Sequence, residues 1–247
     1  MSLLKRLEQI VILGWVNSLP MLRQPMQMVT LIIFAALPIF YMWALGGMHL
    51  LSVGLAAAMI SLVSMSGTFV SGDIIFNRIW TKYQDILVAS PVSPICYMLG
   101  IAVSNFISVG FGLIPFSALL LLQGKLTASN AASIFLPLGI CYLSNLMLGF
   151  YLGTVINDVK TGNSLGNVLI LALVYLPPVY YPLTALPDFL RFPALLIPTV
   201  STAQIVSSAL GMSTAVAEYV PMAWVVLVLS SIVFGTLTLR NVRWRER

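Results

Sequence analysis

The chain has 247 residues, 60% of them hydrophobic and only 8% charged, with a mean hydropathy of +1.01. That is the composition of an integral membrane protein and excludes an ordinary soluble domain. The formal net charge of +5 does not describe a nucleic-acid face, because the basic residues stand beside the ends of apolar segments, where they carry topology. Cys96 and Cys141 both fall in or beside apolar runs and supply neither a disulfide framework nor a metal-ligand spacing.

The first element is amphipathic. Leu3, Leu4, Leu7, Ile10, Val11, Gly14 and Trp15 recur at helical spacing, with Lys5, Glu8 and Gln9 on another face, which predicts an interfacial elbow helix over residues 1–22. Its basic start is like that of a secretory leader, but further membrane segment follows without a small-residue cleavage site, so the segment is expected to stay in the mature protein. From Gln24 to Gly72 there is no Lys, Arg, Asp or Glu, and a span needs only about 20 apolar residues. Two spans fit there, over 29–45 and 50–71. Apolar length then predicts spans over 95–122, 131–156, 165–181 and 219–239, the fifth running into the prolines of LALVYLPPVYYPLTALPDF.

Six spans with both ends on one side gather Lys5, Arg6, Arg23, Arg78, Lys82, Lys160, Arg240, Arg243, Arg245 and Arg247 on that side, and leave Lys125 and Arg191 on the other. The excess of basic residues places both termini in the cytoplasm of a multi-pass cell-membrane protein. RNVRWRER at the end, with Trp244 among its arginines, reads as a stop-transfer and headgroup anchor.

Several chemistries lack their residues. His49 is the single histidine, which leaves no triad, no H-E-x-x-H site and no multi-histidine metal site. In LLQGKLT, Leu126 follows Lys125 where a nucleotide-binding loop requires Ser or Thr. No catalytic residue, metal site or cofactor is therefore assigned to this chain. All seven acids are expected outside the spans or at their ends, Asp73 and Asp158 bordering cytoplasmic loops, which argues against an ion-coupled carrier. Ser104, Asn105, Ser144 and Asn145 read as interhelical hydrogen bonders. Gly149 and Gly153 in the fourth span, with Ser61, Ser64, Gly67 and Ser71 in the second, predict close helix packing, within one chain before between chains.

The run RIWTKYQDILVASPVSP stands out. Ile75, Ile79, Tyr83 and Ile86 are expected along one side of a helix and Arg78, Thr81, Lys82 and Asp85 along the other, with Pro91 and Pro94 ending it. An amphipathic cytoplasmic helix over 74–90 is predicted, of which a plain interfacial helix is one reading.

At two places the text resembles the type-2 ATP-binding-cassette exporter permeases, relatives of drug-resistance, nodulation-factor and polysaccharide export permeases. In YQDILVASPVSPICYMLG the similarity is carried by Asp85, Leu87, Val88, Ser90, Pro91, Val92, Ser93 and Gly100; in YYPLTALPDFLRFPALLIPTV by Tyr181, Pro182, Pro187, Leu190, Arg191, Pro198 and Thr199. Asp85 stands where a glutamate is commoner and Tyr83 where a threonine is commoner. The resemblance implies an all-α, six-span membrane protein with elbow helix and a coupling helix whose Arg78, Thr81, Lys82, Tyr83 and Asp85 meet a separate ATPase subunit. It also implies an outer re-entrant segment over 182–212, with Pro182, Pro187, Arg191 and Pro198, and export through a path between two copies of the chain. ATP and Mg would be held by the partner, a hydrophobic or amphipathic molecule would be the cargo, and the substrate-binding residues stay unassigned. A secondary carrier or channel working without ATP is the alternative, and an intramembrane enzyme has no residue set to support it.

The topology has a direct check. With Cys96 and Cys141 replaced, Lys125→Cys should react with an impermeant thiol reagent added outside intact cells and Gln84→Cys should not; the opposite pattern would invert the orientation.

Overall fold

The computed structural model describes residues 3–23, 25–90, 92–156 and 158–241, all of whose regular elements are helical. Pro91 and the expected terminal anchor, Arg243, Trp244, Arg245 and Arg247, lie outside the described residues. In chain order the helices are α1 (Leu3–Arg23), α2 (Pro25–Ile79), α3 (Tyr83–Val88), α4 (Pro94–Leu122), α5 (Ala131–Val155), α6 (Val159–Ile170), α7 (Asp188–Leu195), α8 (Pro198–Ala209) and α9 (Val220–Asn241).

α2 is two arms. Gly47, at φ 59° and ψ −145°, takes a backbone conformation open to a residue without Cβ. The chain turns there between Val29–Ala44 (α2a) and Leu50–Ile79 (α2b). Among the described residues four helical stretches are long and apolar enough to cross a membrane: α2b, α4, α5 and Ala217–Arg240. A fifth is possible if α7 and α8, which meet at a 99° bend, count as one broken span. The apolar α2a is shorter.

α2b is the central post, almost wholly buried among α4, α5, α6 and α8. Its composition explains this position, because Ala56, Ala57, Ala58, Ser61, Ser64, Gly67 and Ser71 are small and buried, and small side chains let helices approach without a large apolar driving force between them. The closest approach is with α5. A Cβ on Gly67 would stand 2.7 Å from Asn145 Cβ and 2.8 Å from Leu146 N, one on Gly149 would strike the Gly67 carbonyl, and one on Gly153 would meet Ile74 Cβ at 2.9 Å. The G-x-x-x-G pair of α5 thus serves packing inside one chain. α5 is joined to α9 by hydroxyls: Ser144 shares hydrogen bonds with Ser230 (3.0 Å) and Ser231 (2.6 Å), and Thr238 donates to Met147 O (2.7 Å). Tyr142 OH reaches Ala102 O of α4 at 2.8 Å.

α1 is one amphipathic helix that packs along α4, where Gly14 faces Val103 and Gly100 faces Leu13. Leu4, Leu7, Val11, Ile12 and Trp15 remain exposed on it.

Three boundaries differ from those expected. α2b runs on to Ile79 rather than stopping near 71, because Ile74 and Ile75 are buried and continue its packed face. The fifth segment starts at Val159 and ends at Tyr175, its last turn a π-turn closed by Leu176 N donating to Leu171 O (2.8 Å). Pro177 and Pro178 follow and cannot continue it. Its start is set by Asp158, whose carboxylate accepts from Thr161 N (2.9 Å) and Thr161 OH (2.8 Å); those donors hold its carboxyl below the ordinary carboxylate range.

Gly67→Ala forces a methyl into the α2b–α5 contact and should cost about 1–3 kcal/mol, read as a lower unfolding midpoint in detergent. Gly110→Ala, where nothing lies within 4 Å of the added carbon, should leave the midpoint unchanged or raise it.

Candidate functional site at the base of the bundle

The amphipathic run expected as one helix over 74–90 is not one helix. α2b carries Arg78 in its last turn, the chain turns through Trp80, Thr81 and Lys82, and α3 begins at Tyr83. Lys82 is the only non-glycine among the described residues with positive φ, at 52°, a left-handed conformation that costs an L-residue roughly 1–2 kcal/mol. The hydroxyl of Thr81 supports the turn, donating to Asn77 O (3.2 Å) and accepting from Tyr83 N (3.3 Å).

Arg78 does not lie on a cytosolic face. Its Nη1 donates to Thr154 O (3.0 Å) and its Nη2 to Ile156 O. These carbonyls close the end of α5, where helix carbonyls lack partners of their own. One guanidinium therefore ties the ends of α2b and α5 together. The expected apolar side also divides: Ile75 is buried and Tyr83 partly so, whereas Ile79 is exposed and Ile86 is 66% exposed. Among the described side chains of α3, Tyr83 and Leu87, one turn apart, pack inward. Trp80 is 70% exposed and stacks on Phe76 with ring centroids 6.0 Å apart. Asp85 belongs to α3, with its side chain outside the described set. Ser90 OH donates to Leu87 O (2.7 Å), and Ser93 caps α4 by accepting from Cys96 N (3.2 Å), with Pro94 in its first turn.

At the other candidate region the prolines interrupt helices rather than filling one loop. Pro182 precedes a single 3-10 turn over Leu183–Ala185, Pro187 stands immediately before α7, and Pro198 is the first residue of α8. Arg191 folds back on this turn, donating to Leu186 O (3.0 Å) and Thr184 O (3.1 Å) and pairing with Asp188 at 2.5 Å. α8 is buried along most of its length although it reads TVSTAQIVS. Its polar groups find partners: Thr199 OH donates to Leu173 O, Ser201 OH to Leu195 O (2.6 Å), and Gln204 Oε1 accepts from Val216 N (3.0 Å). Tyr180 anchors the irregular stretch before it, its hydroxyl bonding Ser61 Oγ (2.6 Å) of α2b and Ala35 O (3.3 Å) of α2a.

Between these regions the structure holds residues that were not assigned from sequence. α2a, α2b and α4 enclose a cleft of about 580 Å³. Asp73 lies in its wall, six residues before the end of α2b, within the apolar stretch rather than in a bordering loop. The signal was present in the spacing of Met65, Phe69, Gly72 and Phe76, which shares a helix face with Asp73, but was cut off by ending the span at 71. Asn105, expected to bond between helices, instead faces this cleft; Asn145 donates within its own helix, to Cys141 O (2.9 Å).

No protein-family model matches the chain, and no curated protein is significantly similar to it.

Removing the Arg78 tether leaves two helix-end carbonyls without their charged donor. Arg78→Ala should lower stability by about 1.5–3 kcal/mol, measured by thermal unfolding in detergent, whereas Lys82→Gly, which relieves the left-handed residue, should not destabilise.

Proposed function

We propose that this chain is the membrane-spanning permease subunit of an ATP-driven exporter, working as a pair of copies with a separate ATPase subunit that holds ATP and Mg. In this reading the six spans are α2a, α2b, α4, α5, the helix over 159–175, and α9, with α1 as the elbow, α3 as the coupling element and 182–212 as the outer re-entrant segment. The cargo is a hydrophobic or amphipathic molecule passing between the two copies. The observation that carries the reading is the junction at Arg78. α3 hangs from a three-residue turn whose first anchor is bonded to the end of α5, so a partner pushing on α3 moves two spans together. The broken, proline-punctuated pair α7 and α8 is the second feature in keeping with it, since irregular backbone at membrane depth must be covered by protein or line a water-filled space.

One observation favours a different reading. Asp73 within an apolar helix is the kind of residue that ion-coupled carriers use. In that case transport needs no ATPase and follows an ion gradient.

The two readings separate in one preparation. Gently extracted from its native membrane, the chain should bring an ATPase encoded by another gene in equal number, and alone it should hydrolyse no ATP. Trp80→Ala, at an exposed aromatic of the kind that dominates interfaces, should reduce recovery of the complex by about tenfold or more; Asp85→Lys, a single charge reversal on α3, should have a milder effect, within about 1 kcal/mol. Recovery of the chain without any ATPase, together with transport that collapses with the ion gradient, would replace the exporter by the carrier.

A further inference from the structure

The cleft between α2a, α2b and α4 has an unusual lining for an apolar wall. Near the Gly47 turn the two arms touch, Gly54 lying against Ile39 and Met42. Further from the turn they part, and Phe34, Phe69 and Phe76 stand in the gap with roughly half of each side chain exposed. Three polar hydroxyls in the wall are already engaged with their own helices: Thr30 with Met26 O, Ser66 with Val63 O and Ser108 with Ser104 O. Asp73 and Asn105 are different. Among the described residues neither has a hydrogen-bond or ion-pair partner, and Asp73 is an exposed residue whose side chain opens to the cleft.

We infer that this cleft is a binding subsite for a lipophilic cation, with Asp73 as its counter-charge and Phe34, Phe69 and Phe76 as its walls. A carboxylate held beside aromatic and aliphatic surface, with no basic residue among the described lining of the site, is poorly solvated and gains from a cation that brings its own apolar surface. Aromatic ring faces attract the same charge. An anion meets a like charge, and a neutral lipid tail fills the volume but leaves the carboxylate without a partner. The cleft volume of about 580 Å³ is that of a site for a drug-sized molecule. That the ligand is cargo rests on the export reading; that it binds does not.

The test uses the intact purified chain in zwitterionic nanodiscs, without any ATPase, and two probes of nearly the same shape and opposite charge, tetraphenylphosphonium and tetraphenylborate. Each variant is compared with the parent for each probe, so partition into lipid cancels. Asp73→Asn should weaken phosphonium binding about tenfold, equivalent to about 1.4 kcal/mol, and leave borate binding unchanged or stronger. Asp73→Glu should restore most of the phosphonium affinity, and Phe69→Ala should weaken it several-fold. No loss for either probe on Asp73→Asn, or an equal loss for both, would overturn the subsite. Failure to recruit an ATPase would overturn the exporter and leave the subsite standing.

Discussion

The backbone contact between α2b and α5 is the constraint on which the bundle rests. Gly67 and Gly149 let two helices meet carbonyl against Cα, a distance that any side chain would increase by several ångströms. In a membrane there is little apolar driving force between helices, so close dispersion contact and interhelical hydrogen bonds must hold them. Because α5 is drawn against the post, α9 can reach it through Ser144, Ser230 and Ser231, and α8 can lie buried against α5 and α9. Each of these depends on the first approach.

The same contact gives the base of the molecule its mechanical character. Arg78 grips the final carbonyls of α5 at the place where the two helices have already been brought together. The following turn is tight enough to hold Lys82 in a left-handed conformation, so α3 is not a floating amphipathic helix. Within the middle part of α2b and α2a, the hydroxyl of Tyr180 links the irregular stretch before α7 to both arms of α2 through Ser61 and Ala35. Displacement at the Arg78 end therefore has a covalent and hydrogen-bonded route through α2b to the irregular stretch that Tyr180 anchors.

Packing around the post also leaves a gap. α2a is pinned to α2b near Gly47, and the cleft further along exposes a carboxylate in a largely apolar wall. Such a group is expensive to keep where solvation is poor. The bundle meets that cost only in part, by leaving Asp73 open on one side.

The sequence by itself determined the class of the protein and most of its helices. Apolar length marked α4, α5 and α9 to within a few residues, though it ended α2b at 71 rather than at Ile79, and the small residues of α2b and α5 announced a close contact, because span length and steric size are local properties. The outer prolines likewise announced broken helices. Tertiary structure alone decided what Arg78 does, since its acceptors, Thr154 and Ile156, are distant in sequence and carry no side-chain signature as backbone carbonyls. It also decided that Tyr83 and Leu87, not Ile79 and Ile86, turn inward, because the break at Lys82 resets the helical phase that periodicity assumes to be continuous. Asp73 shows the same limit: the face it shares with Phe69 and Phe76 is written in the spacing, but a cleft needs α2a and α4 opposite that face, and which faces meet is fixed by packing rather than by any one helix.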